Sequence, residues 1–117
     1  MAISVQNNVS ALQAFTKQMN VSANNVANSL SDEFKASRAH NVEGENGGVK
    51  THITQSQDAG PLVEDPLKND GSLKELSNTD IARELVEQIA VQHGFDANAK
   101  VIQTYDQTIG SLIDTIG

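Results

Sequence analysis

Three histidines, His40, His52 and His93, are the side chains best suited to hold a metal, and the chain has no cysteine to support them. No two of them stand four residues apart, the helical spacing that turns two imidazoles toward one ion. They read as solvated or interface histidines, and no metal or cofactor is expected. Asp65 to Gly71 resembles a calcium loop only superficially. With Gly71 at the sixth position, Pro66 and Lys68 fall at the first and third, where side-chain oxygens are required. Gly44 to Gly48 lacks the Gly-Lys-Ser/Thr ending of a phosphate loop. Glu64 and Asp65 are adjacent carboxylates in a wet, turn-rich stretch, which suits solubility better than acid–base catalysis. Ser10 and Ser22 have no His/Asp set that the sequence identifies. No catalytic constellation emerges, so the chain is not expected to be an enzyme. One group stands apart. Asn24, Asn25 and Asn28 form an amide cluster, two of them four residues apart on a helical face. Amides buried between helices can fix register and oligomer state. An ordinary polar helix face is the alternative.

The elements that would carry these residues are two long helices. Val5, Val9, Leu12, Thr16, Met19, Ala23, Val26 and Leu30 step alternately by four and three, an a/d seam that calls for helix-on-helix packing. The first helix is expected over 1–31, which carry a single charge, Lys17, and no Gly or Pro. A helix so poor in charge suits being surrounded by protein. Its Asn and Ser content makes it intrinsically weak, so it should need a partner. The second helix is expected over 77–117. Ser77-Asn78-Thr79-Asp80 has the form of a capping box. A looser seam follows, through Leu85, Phe95, Ile102, Ile109 and Ile113, widened by Ile89 and others. Gly94 and Gly110 lie inside it at about 1 kcal/mol each relative to Ala. The helix is expected to bend at Gly94, or another backbone to approach there.

Between the helices, residues 32–76 hold most of the chain's Gly and both of its Pro residues, and read as loop. Val49-Lys50-Thr51-His52-Ile53-Thr54 alternates with period two and predicts a short strand, half of a small hairpin. The expected fold is mainly α within a single domain, 1–117. Two terminal helices would form an antiparallel hairpin or coiled-coil bundle around a short irregular middle with a small β hairpin.

Composition closes several routes. The formal charge is −7 over 117 residues, with 15 acidic and 8 basic side chains, which disfavours nucleic acid. Leu, Ile, Val and Phe make up about a quarter of the chain, above the level expected of a disordered one. No apolar run reaches the length of a membrane span, so direct membrane insertion is not expected. The first eight residues lack the basic and apolar regions of a secretory signal peptide.

Ser22-Ala23-Asn24-Asn25-Val26-Ala27-Asn28, followed by Phe34-Lys35-Ala36-Ser37-Arg38, resembles the N-terminal signature of the bacterial flagellar rod and hook proteins, Ala-Asn-Asn-Ile/Val-Ala-Asn and then Thr-x-Gly-Phe/Tyr-Lys. Ser77-Asn78-Thr79-Asp80, Glu84-Leu85-Val86 and Gln92 to Thr104 are similar to the C-terminal motifs of the same family. Glu33 stands where the turn glycine is usual, which predicts a different path for that loop, and His93 where Arg is frequent. With about 46 residues between Leu30 and Ser77, the chain resembles the small proximal-rod subunits more than the hook protein.

The resemblance implies an axial structural subunit of the flagellar basal body. Such a subunit is exported by the flagellar type III apparatus without a cleaved signal, polymerises with itself and other rod or hook subunits, transmits torque, and spans the periplasm in the assembled rod. The expected packing seam is Val5, Val9, Leu12, Met19, Val26, Leu30, Leu85, Ile89, Phe95, Ile102, Ile109 and Ile113. Asn24, Asn25, Asn28 and Asn98 are the expected polar register contacts, and Phe34 and Lys35 form the family-motif turn. The alternative is a helical-hairpin module that caps or regulates an axial protein without polymerising.

Overall fold

A computed structural model describes residues 5–116. The order of elements is α1 (Val5–Ala27), β1 (Ser37–Glu43), β2 (Val49–Gln55), β3 (Leu62–Glu64), β4 (Leu73–Glu75) and α2 (Ile81–Ile116). The molecule is very extended, 81 × 25 × 16 Å. Two long helices flank a small β region, as the patterning predicts, but the β region is larger than expected. β1 and β2 pair antiparallel with Ala39 opposite Ile53 and His40 opposite His52, and β3 and β4 form a second, three-residue ladder.

α1 begins at Val5 and ends at Ala27, short of the expected Ser31; the predicted residues 1–4 and 117 lie outside those described. Asn28 closes the helix. Its side chain donates to the Asn24 carbonyl at 2.9 Å, and Ser31 Oγ donates to Asn28 Oδ1 at 3.0 Å. Such side-chain bonds compete with further helical ones. The chain then turns through Glu33, whose φ of 61° is left-handed. A glycine takes that conformation without a Cβ clash, and Glu33 holds it with its N–H donating to the Glu75 carbonyl at 3.0 Å.

The β1–β2 hairpin closes over Gly47 and Gly48, with φ of 80° and 78°. It lies along α1. Ser10 Oγ donates to the Val49 carbonyl at 2.9 Å and accepts from its N–H at 2.8 Å. At the start of α2 the expected capping box needs correction. Asp80 caps the helix, its Oδ1 accepting from the Arg83 N–H at 3.3 Å, whereas Ser77 bonds Thr79 instead. A Ser-x-x-Asp string fits a cap at either end of it, and the Ser77 hydroxyl is already engaged in the loop. α2 then runs unbroken for 36 residues, about 54 Å at 1.5 Å per residue. What meets Gly94 is a side chain rather than a backbone: a Cβ built there would lie 2.7 Å from the Phe15 ring.

Candidate assembly surface

The surface between α1 and α2 is small and polar. Its fully buried side chains are Asn25 and Ser22, each 1 % exposed, joined by Glu84 at 4 %. Asn25 holds three elements at once. Its Nδ2 donates to the Ser37 carbonyl at 2.7 Å and to Glu84 Oε1 at 3.1 Å, and its Oδ1 accepts from the Ser37 N–H at 2.9 Å. Ser22 Oγ donates to the Glu84 carbonyl at 3.3 Å and accepts from Gln88 Nε2 at 3.0 Å. Ala14, Val91 and the Phe15–Gly94 contact supply the apolar part. Asn25, Ser22 and Glu84 are all hydrogen-bonded, as such burial requires, whereas Gln18 Oε1, between Ala14 and Ser22 on the same strip of α1, is buried without a partner among the described residues.

The other three asparagines are placed differently. Asn28 Nδ2 donates to Asn24 Oδ1 at 3.0 Å on an exposed face, and Asn98 Nδ2 donates back to the Gly94 carbonyl at 3.1 Å. Neither bond crosses between helices.

The two sequence motifs meet at the base of the helices. Asn78 N–H donates to the Phe34 carbonyl at 3.1 Å, and Asn78 Oδ1 accepts from the Ala36 N–H at 2.6 Å. Asn78 Nδ2 donates to the Asp58 carbonyl at 2.8 Å. Lys35 pairs with Glu75 and donates to the same Asp58 carbonyl at 3.1 Å. The hydrogen bond from Lys35, and after it the Gly60 N–H at 2.9 Å, holds the Glu75 carboxyl below its ordinary pKa of 4.5. Ser10, Ser22, Asn78, Glu84 and Gln88 carry this framework, and none of them is among the expected packing-seam or register residues. Their polarity gives them the look of a wet face. Ser22, Asn78 and Glu84 had a signal, as members of the family-like motifs at the two ends of the chain.

The predicted apolar seam lies one strip round each helix from these buried residues. On α1, Val9 is 40 % exposed; Val5, Leu12, Met19 and Val26 are half-buried, and Leu30 is exposed beyond the helix end. On α2, Leu85, Ile89, Phe95, Ile109 and Ile113 are exposed and Ile102 is half-buried. Phe95 borders two shallow grooves, one with Phe15, Met19 and Val91, the other with Val9 and Leu12. Among the described residues no three His, Asp or Glu side chains gather as metal ligands, and no helix is long and apolar enough to cross a membrane. The arrangement offers faces for other helices.

A model of the C-terminal region of flagellar basal-body rod FlgEFG proteins matches residues 70–115. The flagellar hook protein FlgE from each of two strains of Helicobacter pylori is 46% identical over 44 residues, 38% of this chain. The match spans only 6% of the length of those relatives. The family-model match over residues 70–115 takes in the cap, the buried Glu84, the Phe15-facing Gly94 and the exposed stripe of α2. The C-terminal segment of this chain is thus similar to that of the flagellar basal-body rod and hook proteins.

Proposed function

We propose that this chain acts as a single-domain, small rod-type subunit that polymerises through its terminal helices and transmits torque. Its helices form an antiparallel hairpin: Asn25 meets Glu84, Ser22 meets Gln88 and Phe15 meets Gly94, so position rises along α1 as it falls along α2. The observation that carries the reading is the division of the surfaces. Small and polar residues are used inside the chain, and the apolar seam is left for neighbours. Contacts of this kind between unlike surfaces need not close and so build filaments. A rod subunit is favoured over a hook subunit by the short middle, which holds two small hairpins where a hook protein carries large domains. Export through the flagellar type III apparatus and a place in the rod across the periplasm follow from the family resemblance.

Mass spectrometry of purified hook–basal bodies tests this reading. The chain should be present at several copies per basal body. Its absence there, with the chain recovered as a soluble complex with one axial protein, would establish the capping or regulatory module instead. Leu12→Asp should block incorporation without lowering expression, and normal motility in that strain would count against the seam.

A further inference from the structure

The outward face of the β1–β2 hairpin is basic in an acidic chain. The register places Arg38 opposite Thr54, His40 opposite His52 and Val42 opposite Lys50. These six side chains share one face, as the 3.1 Å approach of His40 Nε2 to Thr54 Oγ1 shows. The edge of β2 is tied to α1 through the Val49 backbone, whose N–H and carbonyl bond Ser10 Oγ, and Ser37, Ala39, Val49 and Thr51 on the opposite face are half-buried. None of the six outward residues is acidic, and neither Arg38 nor Lys50 makes an ion pair among the described residues. The distal part of α2 has the opposite character. From residue 101 onward its charges are Asp106 and Asp114 alone, both without ion pairs among the described residues, and its last turn has no basic residue to offset the negative helix end.

Spacing links the two. Arg38 and the level of Lys50 stand four strand residues apart, about 13 Å. Asp106 and Asp114 stand eight helical residues apart, about 12 Å along the axis and about 80° round it. Gly110 falls midway, about 40° from each, on the strip between the two carboxylates. Among the described residues, nothing beyond the helix's own backbone comes within 4 Å of a Cβ built there, so no described contact accounts for a glycine that weakens the helix by about 1 kcal/mol. A flat strand pair lying across the helix would account for it, because a missing side chain lets sheet and helix approach closely.

We propose that the outward hairpin face docks the distal part of α2 from a second copy of this chain, with Arg38 and Lys50 reaching Asp106 and Asp114 across Gly110. The proposal rests on the assembly reading above and adds a surface to it. The contact joins unlike surfaces and leaves a free hairpin and a free helix at its two ends, so it can propagate.

Sedimentation velocity on the full chain tests it. The wild type should self-associate, less so as salt rises. Arg38→Glu with Lys50→Glu should weaken association roughly tenfold or more, and Asp106→Lys with Asp114→Lys equally. Mixing the two variants restores complementary charge at both contacts and should restore association. Gly110→Leu should weaken association while raising helix content by circular dichroism, which separates loss of contact from loss of fold. Wild-type association by the hairpin double variant, or a mixture that stays dissociated, would overturn the proposal. If Leu12→Asp abolishes assembly while the charge reversals leave it unchanged, only this surface falls. A wild type that never associates removes both readings.

Discussion

The two halves of α2 are one continuous helix with opposite surroundings. From Ile81 to Asn98 it lies against α1, and its inward residues are Glu84, Gln88, Val91 and Gly94. From Ala99 to Ile116 almost every position is exposed, including Val101, Leu112 and Ile116. The half with a partner inside the chain is the more polar one at its contact. Both halves carry exposed apolar side chains, Leu85, Val86 and Ile89 in the first and Val101, Leu112 and Ile116 in the second. Had intrachain packing alone driven the choice of residues, those side chains would line the contact with α1, since burial of apolar area is the main favourable term in folding. On the assembly reading proposed above, that apolar area is kept for association. Hydrogen bonds, whose loss is costly but whose net gain is modest, hold the chain in shape.

The largest expected effect is at Asn25, because it joins α1, β1 and α2. Asn25→Ala removes three hydrogen bonds and leaves the half-buried Ser37 backbone and the buried Glu84 carboxylate short of partners, so it should cost about 3 kcal/mol in chemical denaturation. A Leu112→Ala change in the distal half should cost well under 1 kcal/mol in the dissociated chain. Equal losses at the two sites would erase the distinction between the halves.

The two helical glycines sharpen the same contrast. Gly94→Leu drives a side chain into the Phe15 ring, which lies 2.7 Å from the Cβ position, and should destabilise by about 2 kcal/mol. Gly110→Ala meets nothing within 4 Å and should stabilise the helix by about 1 kcal/mol. Thermal midpoints that move in the same direction would break the assignment of Gly94 to packing and Gly110 to open surface.

These residues also explain what could be read from sequence. The α1 heptad was legible because no Gly or Pro interrupts it, and β2 because Val49 to Thr54 alternates. β1 has no such alternation: Arg38, His40 and Asn41 look like loop, and the strand exists because β2 and the Gly47–Gly48 turn supply its partner. The three-residue β3–β4 ladder is too short to leave a pattern. The polar knot was hidden for a different reason. Ser22, Glu84 and Gln88 are residue types found on wet faces, and only the fold brings them opposite Asn25. The seam was visible as a pattern, but periodicity alone does not say whether it faces the same chain or the next one.

Where the two helices begin to meet, Glu33 tests how tightly that junction is held. Its left-handed φ of 61° costs an L-residue energy that glycine does not incur, so Glu33→Gly should raise stability by roughly 0.5–1 kcal/mol despite the added chain entropy. Glu33→Ala should leave stability unchanged, since it keeps the Cβ. A gain from the alanine variant as large as that from glycine would mean that the glutamate charge, rather than the backbone, sets the cost.

The smallest effect is electrostatic and lies next to that turn. Lys35, and then the Gly60 N–H, lower the pKa of Glu75 from 4.5 in the folded state. A depressed carboxyl pKa adds stability that is fully present above 4.5 and is lost as pH falls through the folded value. Thermal midpoints measured at pH 6, 4.5 and 3 should therefore fall more steeply for the wild type than for Glu75→Gln. Lys35→Met should flatten the wild-type slope in the same way, because it removes the larger cause. Asp70, lowered by its hydrogen bond from the Ser72 hydroxyl, titrates in the same acid range but belongs to the β3–β4 loop and cancels between the variants. Parallel slopes for wild type and Glu75→Gln would show that this ion pair orients the turn without stabilising it, leaving Asn78 and its backbone bonds to Phe34 and Ala36 to hold the two motifs together.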